Sequence, residues 1–458
     1  MLESPSAVST AWAGARGHSL AAKALGGPNA FDPVSTVMGL FMGMPPQMQA
    51  YNHSTPSDVH QPQTRICILG GGFGGLYCAL ALHRYLKRWP QPVQVTLVEP
   101  RDRFTFTPLL YELLTDELKP WEIAPSYQQL LGHTSIQQRQ ATVNTIDLPN
   151  RLVKLHQGDS LPYDYLVVAM GSQMRPPAAV GHQGQALPFS TLADVWRLEQ
   201  QLADLDRAAA TGLVQVVVAG AGPSGVELAC KLADRLGAKG QVTILDRRGK
   251  ILRAYPEPLR QAAAKALKQR GVTVYLGAAI QTVDAATVTY QYQGQTCQQP
   301  ADLVVWTVGT VPRSWPGLDP LKPSPLGQCL VRPTLQIPQD DRVFVLGDMA
   351  EMPIITRDRR PGSSAPMTAQ SAYQAAPVVA HNIWALAAQR PLRSFGYVHL
   401  GDMLTLGRNN AVVCGFGLCI TGRLGAVSRR WAYWLRLPTA HHRWRVLRHW
   451  LSSIFITS

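Results

Sequence analysis

The stretch Thr64-Arg-Ile-Cys-Ile-Leu-Gly-Gly-Gly-Phe-Gly-Gly75 runs from an apolar segment straight into a glycine cluster. Arg65–Leu69 reads as a buried strand, and the residues after the glycines read as a helix through about Trp89. Gly70, Gly72 and Gly75 keep the spacing G-x-G-x-x-G at the junction. The first glycine permits a tight turn, the second lets a pyrophosphate approach the backbone, and the third lets the helix pack closely on the strand. The helix N-terminus then offers unpaired N–H groups and a partial positive charge to phosphate. A second strand, Val93–Glu99, ends on an acid placed to accept hydrogen bonds from a ribose diol.

The same order returns about 150 residues later. Gln215–Ala219 reads as a strand, Gly220, Gly222 and Gly225 repeat the glycine spacing, and Val226–Leu236 reads as a helix. Gln241–Asp246 is again a strand ending on an acid. Each unit is followed by a further apolar strand with a glycine turn: Tyr165–Ala169 before Gly171, and Asp302–Trp306 before Gly309. Two complete fingerprints imply two dinucleotides, one a resident flavin and the other an exchangeable nicotinamide. Val343–Leu346 leads into Gly347-Asp348, where an acid can bond a ribityl hydroxyl of the cofactor on the first module, so FAD is assigned there and NADH or NADPH to the second.

The expected architecture is α/β, with two Rossmann-like dinucleotide-binding domains, the second inserted in the first, and a C-terminal tail that associates with a membrane. Residues 63–185 and 319–400 form the FAD domain, 186–318 the NAD(P)H domain, 401–458 the tail, and 1–62 a disordered or targeting extension. The extension includes the apolar stretch Val34–Met44, too short to span a bilayer.

Net charge is +14, and Met403–Ser458 holds eight Arg with no Asp, Glu or Lys, beside four of the eleven Trp. Such an excess points to an anionic partner. Val427, Trp431, Trp434 and Leu435 share one helical face, with Arg429 and Arg436 on the opposite side, and Trp444, Leu447, Leu451, Ile454 and Phe455 share another, with Arg443, Arg445 and Arg448 around its edges. His441-His442 reads as part of the same basic surface. An interfacial helix pair on an anionic membrane is expected and no nucleic-acid site, the alternative being that the stripes pack on the protein's own core or form a dimer interface. Seven Cys stand singly, so reduced thiols are expected, and neither a disulfide framework nor a metal site.

Together these motifs resemble the two-dinucleotide-domain flavoproteins, and within them the type II, non-proton-pumping NAD(P)H:quinone oxidoreductases. The resemblance covers about 64–437. Phe104–Thr115 carries Pro108-Leu-Leu110 of the quinone reductases and lacks the Cys pair of the disulfide reductases. Ala369-Gln370-Ser-Ala-Tyr-Gln374 resembles the family's A-Q-x-A-x-Q helix, which borders the quinone pocket, so both amides are expected to face a quinone carbonyl. Glu227 resembles the glutamate that lies near nicotinamide and flavin. The segment from Gly401 to Pro438 looks closest to the cyanobacterial and plastid branch, associated with reduction of demethylphylloquinone. The resemblance implies hydride transfer from NAD(P)H to FAD, then two electrons to a membrane naphthoquinone or plastoquinone. Glu227, Gln370 and Gln374 are the expected catalytic residues. It also implies a peripheral enzyme on the cytoplasmic face of a plasma or thylakoid membrane, with a homodimer left open. The rival readings are a soluble NADH-dependent reductase of a small redox protein, and a non-catalytic redox-sensing or nucleic-acid-binding flavoprotein.

Overall fold

The computed structural model describes residues 63–156, 158–175, 186–208, 212–313, 316–317, 324–354 and 364–456. The readings of residues 1–62, and of the Ile454 and Phe455 side chains, lie outside what is described.

Along the chain, β1 (Thr64–Leu69), α1 (Phe73–His83), β2 (Val93–Val98), β3 (Ile136–Arg139) and β4 (Tyr165–Val168) come first. They are followed by β5 (Ala186–Pro188), β6 (Val214–Ala219), α2 (Pro223–Leu236), β7 (Gly240–Asp246), β8 (Thr273–Leu276) and β9 (Leu303–Trp306). The chain continues through β10 (Gln336–Ile337), β11 (Asp340–Val345) and α3 (Ala369–Ala387). An antiparallel sheet of β12 (Asp402–Thr405), β13 (Ala411–Gly415) and β14 (Leu418–Thr421) then leads into α4 (Gly422–Trp434) and α5 (Ala440–Ile456).

Two large sheets result, ordered β10-β11-β4-β1-β2-β3 and β8-β7-β6-β9-β5. From one edge inward, β3-β2-β1-β4 and β8-β7-β6-β9 are the same parallel arrangement. The repeat in the sequence is therefore a repeat of topology. It goes further than the glycine motif. Each unit carries a three-stranded antiparallel meander before its last shared strand, Val143–Pro162 in the first and Ala279–Pro300 in the second. β11 pairs parallel with β4 after the whole second sheet has intervened in the chain. The connections are Ser172–Met174 and Thr310–Pro312, which pair antiparallel.

The central strands are apolar because both faces of a parallel sheet are covered. Ile66, Ile68 and Leu69 of β1 and Val216–Ala219 of β6 are buried. Small residues bring α1 and α3 together: Gly74, Gly75, Cys78 and Ala79 on one, Ala372, Ala375, Ala376 and Ala380 on the other. α1 ends at His83, short of the expected Trp89. Trp89 is extended (ψ 136°) because it precedes Pro90, which disfavours helical backbone before it.

Three readings of the C-terminal region are corrected: the reduced state of Cys414 and Cys419, the place of Trp434 on the stripe, and His442 as surface. Cys414 and Cys419 form a disulfide, because they face each other directly in the β13–β14 hairpin. Arg429 lies on the side of α4 opposite the apolar stripe, where the sequence pattern places it. Arg429 is buried with Gly425 and Tyr433 on the inner side of the helix. The outer side carries Leu424, Val427, Trp431 and Leu435, which are 73%, 55%, 46% and 59% exposed. Trp434 leaves this stripe, and its Nε1–H donates to the Arg443 carbonyl at 2.8 Å. On α5, Trp444 and Leu451 are exposed while His442 and Val446 are buried. His442 is thus a core residue, its Nε2 2.8 Å from the Glu122 carbonyl, and burial lowers its pKa.

Candidate active site

The two glycine turns have nearly the same contacts. Gly70 and Gly220 take φ of +94° and +105°, accessible to glycine at little cost. A Cβ on Gly75 would lie 1.8 Å from the Gly70 carbonyl oxygen, and one on Gly225 1.9 Å from that of Gly220. A Cβ on Gly72 or Gly222 meets no protein atom within 4 Å. First and third glycines are thus required by the fold, while the middle one opens onto free space. Gly72 and Gly222 are also the N-caps of α1 and α2, and neither helix start is capped by a side chain. Free space beside helical N–H groups suits a pyrophosphate.

The acids at the ends of the second strands also correspond. Glu99 accepts from the Gly71 N–H at 2.7 Å, and Asp246 from the Ala221 N–H at 2.6 Å. Each carboxylate therefore fixes the glycine turn from below. Burial pushes the Glu99 carboxyl up, but bonds from Arg101 and the Gly71 N–H outweigh it and hold it below the usual carboxylate range. Asp246 also accepts from the Arg248 N–H at 2.7 Å, and Arg247 and Arg248, which follow it in the chain, are exposed.

Gly171 and Gly309 lie where the two connections cross. Both have left-handed backbone, φ +72° and +68°. The Gly171 carbonyl accepts from Arg313 N–H at 3.1 Å and the Gly309 carbonyl from Arg175 N–H at 3.2 Å. Gly347 (φ +72°) follows β11 and lies against α3, where an added Cβ would be 3.3 Å from Ala372 Cβ. Asp348 accepts a 2.6 Å hydrogen bond from the Ser172 hydroxyl, and burial pushes its carboxyl up against that bond. These residues come to the C-terminal ends of β4 and β11, on the same end of the sheet as the Gly70 turn.

Gln370 and Gln374 lie one turn apart on α3, and both hold the segment 397–400. Gln370 Oε1 accepts from the Tyr397 hydroxyl at 2.7 Å and the Leu400 N–H at 3.3 Å. The Gln374 amide donates to the Val398 carbonyl at 2.8 Å and accepts from its N–H at 3.0 Å. Their amides thus position a loop beside α3.

Glu227 sits in the first turns of α2 and is buried. Its Oε1 accepts from the Thr405 N–H at 2.8 Å and lies 3.3 Å from Arg429 Nη2. Arg429 also binds Glu112 and the Pro108 carbonyl of the 3-10 segment Thr107–Thr115. Burial pushes the Glu227 carboxyl up to about 7, against the opposing charge of Arg429 and the Thr405 N–H. Nearby, buried Lys231 pairs with Glu117, whose Oε1 accepts from the Asn409 N–H at 2.9 Å. These bonds tie the β12–β13 hairpin to the segment 107–117 and to α2. Glu112, Thr405 and Arg429 were not expected from the sequence. The one available signal was Glu112, a lone acid in Pro108-Leu-Leu-Tyr-Glu-Leu-Leu114, where burial demands a partner.

The sequence profile of the pyridine nucleotide-disulphide oxidoreductase family matches residues 64–376. The demethylphylloquinone reductase NdbB of a Synechocystis strain is 41% identical over 392 residues, covering 85% of this chain and 96% of that protein. The chloroplastic/mitochondrial alternative NAD(P)H-ubiquinone oxidoreductase of Arabidopsis thaliana is 36% identical, covering 89% and 85%. Among solved structures, NDH2 of Plasmodium falciparum in complex with NADH superposes with a TM-score of 0.74 at 16% identity, covering 85% of this chain and 98% of that one.

Proposed function

The chain belongs to the pyridine nucleotide-disulphide oxidoreductases and, within them, to the type II NAD(P)H:quinone oxidoreductases, and from that premise we propose that it reduces a membrane naphthoquinone, with demethylphylloquinone the first candidate. The observation that carries the two-nucleotide reading is the pair of matching glycine turns, each with free space at its middle glycine and an acid bonded beneath. FAD fits the first turn: Gly70, Gly72 and Gly75 cradle a pyrophosphate, Glu99 faces its adenosine ribose, and Gly171, Gly347 and Asp348 lie toward its ribityl and ring. NAD(P)H fits the second, with Gly220, Gly222 and Gly225 at the pyrophosphate, Asp246 at the ribose and Gly309 at the inner end. The second dinucleotide domain is thereby inserted in the first.

Bound there, FAD supplies two-electron redox chemistry between nicotinamide and quinone. The protein's own contribution is placement. α1 and α2 direct their N-terminal N–H groups at phosphate, the two acids fix the turns, and Glu227 provides a buried carboxyl beside the nicotinamide end. Asp246 favours NADH by accepting from a 2′-hydroxyl, while Arg247 and Arg248 give NADPH a phosphate partner. Gln370 and Gln374 border the quinone and shape its approach through the segment they hold.

The protein lies on a membrane without crossing it. No described helix is long and apolar enough to span a bilayer, while α4 turns its apolar side outward. Exposed apolar faces of this kind mark protein or membrane contacts, and the basic surroundings favour an anionic surface. The test is steady-state oxidation of NADH and NADPH with a benzoquinone and with a naphthoquinone lacking its ring methyl. Preference for the naphthoquinone supports the reading; absence of quinone turnover in detergent, with reduction of a small redox protein instead, overturns it.

A further inference from the structure

Arg429 is 3% exposed and comes from the inner side of α4, the helix whose outer side is the apolar stripe. Its guanidinium reaches Glu112 in the segment before β3 and Glu227 in α2, so one residue of the C-terminal region spans both nucleotide units. The fit is not saturated. Arg429 Nε and Glu112 Oε2 are buried and have no hydrogen-bond partner, and both residues line a small cleft with Glu117, Thr405, Ala426 and Arg430. The groups facing Glu227 are Cys230 and Lys231 of its own helix, Tyr111 and Glu112 of the 107–115 segment, Tyr255, and Arg429 and Tyr433 of α4. Lys231 is already committed to Glu117, which leaves Arg429, among the described residues, as the cation touching Glu227.

We propose that Arg429 is a positioning residue that holds Glu227 against the Thr405 N–H and sets its charge, so that the acid of the active site depends on the seating of the C-terminal helices. The inference rests on the proposed placement of Glu227 beside the nicotinamide. Two carboxylates compete for one guanidinium here, and the competition has a sign at each partner. Arg429 favours the ionised form of Glu227, and Glu112 disfavours it. Loss of Arg429 therefore moves Glu227's titration to higher pH, and loss of the Glu112 charge moves it to lower pH.

The test is the pH dependence of flavin reduction by NADH, followed by rapid mixing on the FAD-loaded protein from about pH 5.5 to 9. The parent should show a limb that Glu227→Gln abolishes. Arg429→Met should displace that limb upward by about one pH unit or more, and Arg429→Lys should restore it at least in part. Glu112→Gln should displace it downward. Opposite displacements cannot come from general damage, and Glu112→Gln keeps the test alive if Arg429→Met does not fold. Uniformly slower reduction with an unmoved limb, or displacement of both variants in one direction, overturns the proposal, as does a parent without a limb. Flavin reduction that behaves as predicted in a protein unable to reduce any quinone would leave this inference standing and remove the quinone assignment alone. A parent that holds no FAD, or whose FAD NADH does not reduce, overturns both.

Discussion

Gly72 and Gly75 stand three residues apart and should tolerate a side chain in opposite ways. Gly72 has φ −74°, which any residue adopts, and an added Cβ there meets nothing. At Gly75 the Cβ would fall 1.8 Å from a backbone carbonyl. Gly72→Val should therefore fold, with the thermal midpoint of the apoprotein unchanged, yet lose FAD, read as flavin absorbance per protein. Gly75→Val should not give folded protein. A Gly72→Val variant with a full complement of FAD would refute the first turn as the pyrophosphate site. Asp246→Ala removes the acceptor of two backbone N–H groups and the expected 2′-hydroxyl partner. It should narrow or reverse the ratio of NADH to NADPH kcat/KM, and an unchanged ratio excludes Asp246 as the ribose ligand. Glu227 makes a prediction about stability. Its carboxyl is raised from 4.5 to about 7 on folding, so the folded chain keeps a proton that the unfolded chain has lost. The stabilisation is fully present below the unfolded value and is lost as pH rises through about 7. Glu227→Gln imitates the neutral form and keeps an oxygen for the Thr405 N–H. It should match the parent near pH 4.5 and exceed it near pH 8, by at most about 3 kcal/mol in chemical unfolding. A difference that does not change with pH contradicts the assigned shift.

At the scale of elements, α3 is a platform for the loop beside it. Gln374 makes paired bonds to the Val398 backbone, and at about 1 kcal/mol net for each bond their loss releases that loop without disturbing the helix. Gln374→Ala should raise the KM for quinone several-fold and leave flavin reduction by NADH within about twofold of the parent. Slowed flavin reduction with normal reoxidation would instead place Gln374 on the nicotinamide side. The contrast between α3 and α1 shows what the sequence could disclose. The β1–α1 and β6–α2 turns were legible because their glycines are required by local geometry: a positive φ, a carbonyl within 2 Å of a would-be Cβ, a helix start. The acids Glu99 and Asp246 were legible for the same reason, ending strands in fixed register with β1 and β6. The partners of Gln370, Gln374 and Glu227 were not: those on Val398, Leu400 and Thr405 are backbone groups without a side-chain signal, and the side chains Tyr397 and Arg429 lie 27 and 202 residues away. The burial of Arg429 opposite the apolar stripe was not legible, because a helix with arginine on one side and tryptophan on the other gives no sign of which side faces the protein. The meanders between β3 and β4 and between β8 and β9 were missed: Ser160–Pro162 is short and Gln295–Pro300 polar, although Thr287–Tyr292 alternates regularly. The Cys414–Cys419 pair was hidden by a hairpin whose turn, Phe416-Gly417, carries an exposed aromatic where a polar turn residue is usual.

For the whole molecule, the net charge of +14 and the outward stripe of α4 make one arrangement. Phe416, Leu418 and Ile420 at the β13–β14 hairpin are exposed, as are Leu424, Val427, Trp431 and Leu435 of the helix that comes directly after it. Arg423, Arg445 and Arg448 are exposed in the same C-terminal region. Each exposed basic residue near an anionic leaflet contributes about 1 kcal/mol, and the apolar side chains add their burial in the headgroup region. Removing the tail from residue 426 onward is a poor test, because Arg429, Tyr433, Leu437, His442 and Val446 are buried parts of the fold. The combined substitution of Leu424→Ser, Val427→Thr, Trp431→Gln and Leu435→Gln touches only exposed positions. It should keep FAD, the thermal midpoint and turnover with a short soluble quinone. Sedimentation with vesicles containing anionic phospholipid should fall sharply, and turnover with a long-tailed quinone in those vesicles should fall with it. Residual binding should then be the electrostatic part and should disappear on adding salt, since exposed charges are screened beyond about 10 Å at 0.1 M. If the substituted protein sediments as completely as the parent at every salt concentration, α4 is not the membrane face, and its stripe covers a protein partner or a second copy of the chain instead.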